Sequence, residues 1–176
     1  YTFDVRTVST RTMRCEYGNG ENLKTYFMSD GCTNMVIKGN EYAGIFAMWD
    51  WARIPGVTAP QMKTIPQAVS DWQTRGTSRV AGGVSDSIYG ATAYSYEDKY
   101  KNINTAARKA WFFFDDEVVC LGAGITSTAT VPVNTTINQC TLVGGKATVS
   151  ANGQVSEVAM GEYAYDNNLN WVWHNN

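Results

Sequence analysis

The imbalance between β-branched and leucine side chains constrains this sequence most. Valine, isoleucine and threonine together number 43, against four leucines. A branched Cβ stiffens χ1 and suits a pleated strand, whereas leucine is a strong helix former. The chain therefore reads as all-β with few short helices, and a helical bundle or a Rossmann domain is disfavoured. Its 176 residues suffice for one domain, residues 1–176, with a core that needs no disulfide or metal staple.

Charge and cysteine usage narrow the function classes. The formal net charge is −2 and no basic stripe stands out, so nucleic acid is not an expected partner. No run of eighteen apolar residues is present, so no membrane span is expected. Tyr1 opens the sequence without a signal-type leader, which implies a removed signal or an excised segment. Cys15, Cys32, Cys120 and Cys140 match no zinc spacing. Buried thiols are expected, with one or two disulfides left open. The single histidine, His174, excludes a multi-histidine metal site and leaves a nucleophile–histidine triad only the chain's edge to draw on.

Along the chain, Tyr1 to Val8 alternates as a strand. Tyr26–Met28 and Asn34–Lys38 read as a hairpin around Ser29-Asp30-Gly31, and Glu41 to Trp51 as a short helix with Tyr42, Ile45, Phe46 and Trp49 at helical spacing. Residues 56–78 form a long polar loop, a length that in a compact domain points to function or disorder. Strands resume at Arg79–Val84 and Ile88–Tyr96 across Ser85-Asp86-Ser87, and within Ala110–Ile125 on both sides of Asp115-Asp116. Thr126 to Thr141 alternates, Asn152-Gly153 marks a tight hairpin, and Trp171-Val172-Trp173-His174 begins a last strand. An aromatic strand at a terminus is an edge that complete domains avoid, so the chain is expected to be a truncated piece of a longer multidomain protein.

Six blocks carry a family resemblance: Ser9-Thr10-Arg11-Thr12, CEYGNGENLKTYFMSDG (15–31), MWDWARIPGVT (48–58), AGGVSDSIYGATAY (81–94), KAWFFFDDEVVCLGAGI (109–125) and TTINQ (135–139). Together, and in order, they resemble the central β-sandwich of the family 8 polysaccharide lyases, of the chondroitin AC, hyaluronate and xanthan lyase type. The resemblance implies an antiparallel β-sandwich, part of a large supersandwich. It also implies a parent that cleaves acidic, uronic-acid-containing polysaccharides such as chondroitin or hyaluronan by β-elimination, secreted or periplasmic in location. In that family a tyrosine, a histidine and an arginine on an N-terminal helical toroid remove the proton. The toroid and the remaining β-sandwich of the same parent chain are thus the implied partners, and this segment alone is expected to be inactive.

By motif position the resemblance assigns Glu16 as the carboxylate that the sandwich lends to the active-site edge. A free carboxylate about 4 Å from a uronate would be repelled by roughly 4 kcal/mol at an effective dielectric near 20. Glu16 is therefore expected to orient a cation of the partner domain. The alternative is a loop glutamate capping Gly18-Asn19-Gly20. Asn19 can read sugar hydroxyls without adding charge, or serve only the turn. Trp72, in the long polar loop, offers a flat face for a sugar ring worth about 2.5 kcal/mol at most, or pins its own loop. Trp49, Trp51, Trp111, Trp171 and Trp173 are expected in the core. Arg6, Arg11 and Arg14 are read as a solvated face, with attraction of a polyanion as the alternative.

No cofactor is expected. Some relatives hold calcium near a Trp-acid-Trp-acid stretch, but here Trp49-Asp50-Trp51-Ala52 lacks the second acid and Gln61-Met62 adds little anionic oxygen, so a metal is disfavoured. Asp115-Asp116-Glu117 reads as a solvated turn. The rival function is a non-catalytic carbohydrate-binding or structural β-sandwich module. A hydrolase with two carboxylates is weaker still, because no acid pair sits in a suitable loop context.

Overall fold

The computed structural model describes residues 1–15, 17–18, 20–67, 74–100, 102–165 and 168–175. Strands dominate these residues, and every named strand pair is antiparallel. β1 (Thr2–Arg6) pairs with β2 (Cys32–Val36), and β3 (Thr58–Pro60) with β8 (Val133–Thr135). β4 (Ala81–Ser85), β5 (Gly90–Asp98), β6 (Thr105–Phe113) and β7 (Val118–Ser127) make a four-stranded sheet in chain order. β9 (Lys146–Ala151) lies between β10 (Gln154–Ala159) and β11 (Val172–Asn175).

Three expected hairpins form where both strands and their turn are local in sequence. At the β4–β5 turn, Asp86 Oδ1 accepts the backbone N–H groups of Ile88 and Tyr89 at 2.9 and 2.6 Å. β6 and β7 join across Asp115-Asp116. At the β9–β10 turn, Asn152 and Gly153 have φ of 49° and 89°, the left-handed pair that a two-residue hairpin requires.

Other expectations are corrected. Tyr26–Ser29 is a 3-10 turn, and β2 takes β1 as its partner. The Asp30-Gly31 turn does not close a hairpin, because the Gly31 N–H bonds the carbonyl of Arg6 at 2.9 Å while Tyr26 and Phe27 turn fully inward. No helix spans Glu41–Trp51, where only Ile45–Ala47 makes a 3-10 turn behind Gly44 at φ 68°. The spacing of Tyr42, Phe46 and Trp49 serves ring stacking instead. Trp49 lies parallel to Phe46 at 5.0 Å and to Tyr42 at 5.9 Å. The long polar stretch contains β3, and the alternation of Thr126–Thr141 yields only the end of β7 and β8.

Two cores result. One gathers Tyr17, Tyr26, Phe27, Ile54, Val57 and Ile103 beneath the loops. The other lies on the β5–β6 face and joins Tyr94, Tyr96, Ala107 and Trp111 to Phe3 and Val5 of β1. Period-two alternation puts Tyr94, Tyr96 and Asp98 on one face of β5, with Lys109, Ala107 and Thr105 directly opposite on β6. Trp49 and Trp111 are buried as expected and Trp51 is half-buried, but Trp171 and Trp173 are each 51% exposed. Cys15, Cys32 and Cys120 are free thiols; Cys32 is buried, Cys140 half-buried, and Cys15 and Cys120 exposed. No described helix is long and apolar enough to cross a membrane.

Candidate functional site

Glu16, Asn19 and Trp72 lie outside the described residues; described residues that flank them in sequence are hydrogen-bonded to one another. Residues 9–14 run antiparallel to 74–78. The Thr10 N–H bonds Ser78 O at 2.8 Å, the Gly76 N–H bonds Ser9 O at 3.1 Å, Met13 bridges Arg75, and the Arg14 N–H bonds Thr74 O at 2.5 Å. Gly76 permits this approach: a Cβ there would sit 2.7 Å from the carbonyl carbon of Val8 and 2.8 Å from Ser9 N. The Tyr17 hydroxyl donates to Pro66 O at 3.3 Å, and the Gln67 side-chain amide donates to Leu23 O. Residues 66–67 and 74–75 are therefore tied to residues 13–14, 17 and 23.

Arg14 fastens that stretch to the interior. Its Nη1 donates to both oxygens of Asp30 at 2.8 Å and to Tyr26 O at 3.0 Å. Its Nη2 reaches Asp98 Oδ2 at 3.3 Å, which also accepts the Tyr26 hydroxyl at 2.7 Å. The guanidinium carbon stands 4.0 Å from the Tyr26 ring centre, a cation–π contact. The expectation of a solvated arginine face is thus overturned at Arg14, which is 5% exposed. It holds at exposed Arg11, whereas Arg6 is half-buried and pairs with Asp4 at 3.0 Å.

The electrostatics follow from one guanidinium facing two buried carboxylates. Burial opposes the charge on Arg14, but Asp30, Tyr26 and Asp98 outweigh it and push its pKa up. Burial pushes Asp30 up to about 6 and raises Asp98, because Arg14 alone cannot compensate both. Both guanidinium Nη atoms are hydrogen-bonded but the buried Arg14 Nε has no partner, and the cluster carries a desolvation penalty that apolar residues would avoid. Sequence reading passed over Asp30, taken as a turn residue, and Asp98. The signal for Asp98 is its i, i+2, i+4 register with Tyr94 and Tyr96.

The adjoining residues are equally held. The Cys15 N–H donates to Ser29 Oγ at 2.8 Å. Tyr17 packs edge-on against Tyr26 with ring centres 5.2 Å apart, and burial pushes its phenol up to about 12.

A second feature is a cavity of about 550 Å³ walled by β2, β6, β7 and β8. Trp111, Leu121 and Ile125 line it, with Lys109 and His174 as its ionisable nitrogen groups. The Lys109 ammonium donates to Gly56 O at 2.5 Å, and burial lowers its pKa to about 8 against the pull of Asp30 and Cys32. No carboxylate lines the cavity among the described residues, so it offers no acid pair for glycoside hydrolysis. Among the described residues no cluster of three or more His, Cys, Asp or Glu can hold a metal. Asp50, in the stretch compared with calcium-binding relatives, accepts the Ala52 N–H at 3.0 Å and pairs with Arg53 at 3.3 Å.

Comparison with known proteins defines the class. The family model for polysaccharide lyase family 8, super-sandwich domain, matches residues 1–176, and the chain belongs to this family as its super-sandwich domain. Among its relatives is chondroitinase-AC of Pedobacter heparinus, 48% identical over 144 residues, which cover 82% of this chain and 20% of that protein. The xanthan lyase of Bacillus sp. strain GL1 is 34% identical over 170 residues, covering 93% of this chain and 17% of the relative. A solved chondroitinase AC lyase superposes with a TM-score of 0.76 at 45% identity, covering 89% of this chain and 22% of that one. The chain thus spans about a fifth of the length of the relatives it matches.

Proposed function

We propose that this domain forms one wall of the cleft of a secreted or periplasmic lyase that cleaves uronic-acid-containing glycosaminoglycans, chondroitin or hyaluronan, by β-elimination. A helical toroid domain of the same parent chain removes the proton beside the uronate carboxylate. Glu16 orients a cation of that toroid, and Asn19 and Trp72 contact the sugar chain. The observation that carries this reading is the fastening of Pro66, Gln67, Thr74 and Arg75 to Tyr17, Leu23, Arg14 and Met13. It supports a shared cleft edge for Glu16 and Asn19 with Trp72, which lies more than fifty positions further along the sequence. The relatives, named for their action on chondroitin, xanthan and hyaluronate, support the substrate class.

The remaining β-sandwich of the parent covers the apolar surface left open here. Leu121 and Ile125 on β7 are 56% and 50% exposed beside the Lys109 cavity, and Trp171 and Trp173 are exposed at β11. An apolar surface of this kind marks an interaction site.

The test is made in the full-length parent protein, by absorbance of the unsaturated product. E16Q is expected to lower kcat about 10–100-fold, the range found for groups that orient others. W72A is expected to raise KM about 10–100-fold through lost stacking. Unchanged kinetics in both variants would remove the site assignment.

A further inference from the structure

We propose that the cavity walled by β2, β6, β7 and β8 is a binding site for a small aldehyde with an apolar body, which Lys109 holds through a reversible imine. Lys109 is 6% exposed, while every other described lysine is exposed. A buried lysine ordinarily has a carboxylate partner. Among the described residues, however, Lys109 makes no ion pair and gives its one hydrogen bond to the neutral carbonyl of Gly56. That bond occupies one of the three N–H groups of an ammonium. The side chain lies on the wall of a cavity of about 550 Å³, within the size range of small-molecule sites.

Gly122 points to the same place independently. It stands directly opposite Lys109, where the β6–β7 register is regular, and it lines the cavity with Lys109. Its φ lies outside the left-handed region, so the strand needs no glycine there. A glycine inside a strand weakens it and often marks where a ligand or another backbone comes close. No backbone does so here, since nothing lies within 4 Å of where a Cβ would stand. The missing side chain leaves open space across from the amine, with Phe3, Met35, Trp111 and Leu121 as apolar walls. A ligand carboxylate would face Asp30, whose charge already acts on Lys109, whereas a neutral aldehyde meets no such repulsion. Desolvation in an apolar pocket is what makes a lysine nucleophilic toward carbonyl groups, and burial lowers this amine to about 8. The neutral Nζ attacks the carbonyl carbon, and the C–N bond forms as the carbonyl π pair moves to oxygen. A proton passes from nitrogen to that oxygen, giving the carbinolamine. Its hydroxyl then leaves with the second N–H proton as water while the C=N bond forms. One amine and one aldehyde thus give one imine and one water, with no change of oxidation state.

The experiment treats the full-length parent protein with benzaldehyde at pH 8, traps the imine with cyanoborohydride and locates it by peptide mass spectrometry. At that pH about half of an amine with pKa about 8 is neutral, against under about 1% of an ordinary lysine. Lys109 is expected to be trapped at least about tenfold faster than the exposed lysines of this domain, and the preference to vanish in urea-unfolded protein. G122L keeps the amine, fills the space opposite it, and is expected to abolish the preference. Benzaldehyde without reductant is expected to raise the melting temperature of the parent but not of K109R, whose guanidinium does not deprotonate. Trapping of Lys109 no faster than of the exposed lysines, as would follow if the remaining sandwich fills the cavity, overturns the inference. So does a preference that survives in folded G122L, or a melting shift that is absent from the parent or retained in K109R.

Discussion

Arg14 ties its segment of chain to the interior by charge buried inside the fold. Removing the guanidinium would leave Asp30 and Asp98 buried without their counter-charge, and breaking such a pair costs about 3–5 kcal/mol. R14M is therefore expected to lower the denaturation midpoint by that equivalent, and an unchanged midpoint would show that neither carboxylate is ionised inside. Lys109 gives a prediction in pH. Its folded pKa of about 8 lies below its ordinary value of 10.5, so between those values the unfolded chain binds the extra proton. Stability contributed at this site rises with pH through that window, and below pH 8 the burial penalty is fully present. A melting series from pH 7 to 10 is expected to show the rise in the native sequence and its absence in K109M. Arg14 was illegible in the sequence because its partners lie 16 and 84 residues away. Period-two alternation identifies the inward face of β5 but not which loop arginine meets Asp98 there.

At the scale of elements, legibility follows locality. The hairpins β4–β5, β6–β7 and β9–β10 could be read because strand, turn and strand are contiguous. The pairings β1–β2, β3–β8 and β9–β11 join distant segments, and alternation alone does not say which strands meet. The Tyr26–Gly31 and Glu41–Trp51 misreadings share a cause. Local patterns that suit a hairpin and a helix were met instead by burial of Tyr26 and Phe27 and by stacking of Tyr42, Phe46 and Trp49. The pairing of 9–14 with 74–78 supplies this scale's prediction. G76A drives a Cβ into the backbone of Val8 and Ser9 and is expected to lower both the melting temperature and the lyase activity of the parent. G153A meets nothing within 4 Å, so its loss is confined to positive-φ strain of about 1–2 kcal/mol and leaves activity unchanged. Equal activity in the two variants would contradict a shared cleft edge.

On the scale of the whole molecule, the family was legible because six motif blocks occur in order, and the family match over residues 1–176 bears this out. The site assignment of Glu16, Asn19 and Trp72 rests on motif position alone, and these residues lie outside the described ones. The described residues supply anchoring, an exposed apolar surface and a buried amine, and the function proposed above places proton removal on another domain. Each general acid–base group contributes about 10²–10⁴-fold, so under that proposal the 176-residue chain is expected to fall far below the parent's rate. The most direct measurement compares the 176-residue chain, its β-rich circular dichroism confirmed, with the full-length parent on chondroitin and hyaluronan. Unsaturated product is expected from the parent alone, and turnover by the 176-residue chain at a rate near the parent's would contradict the division of the site between two domains.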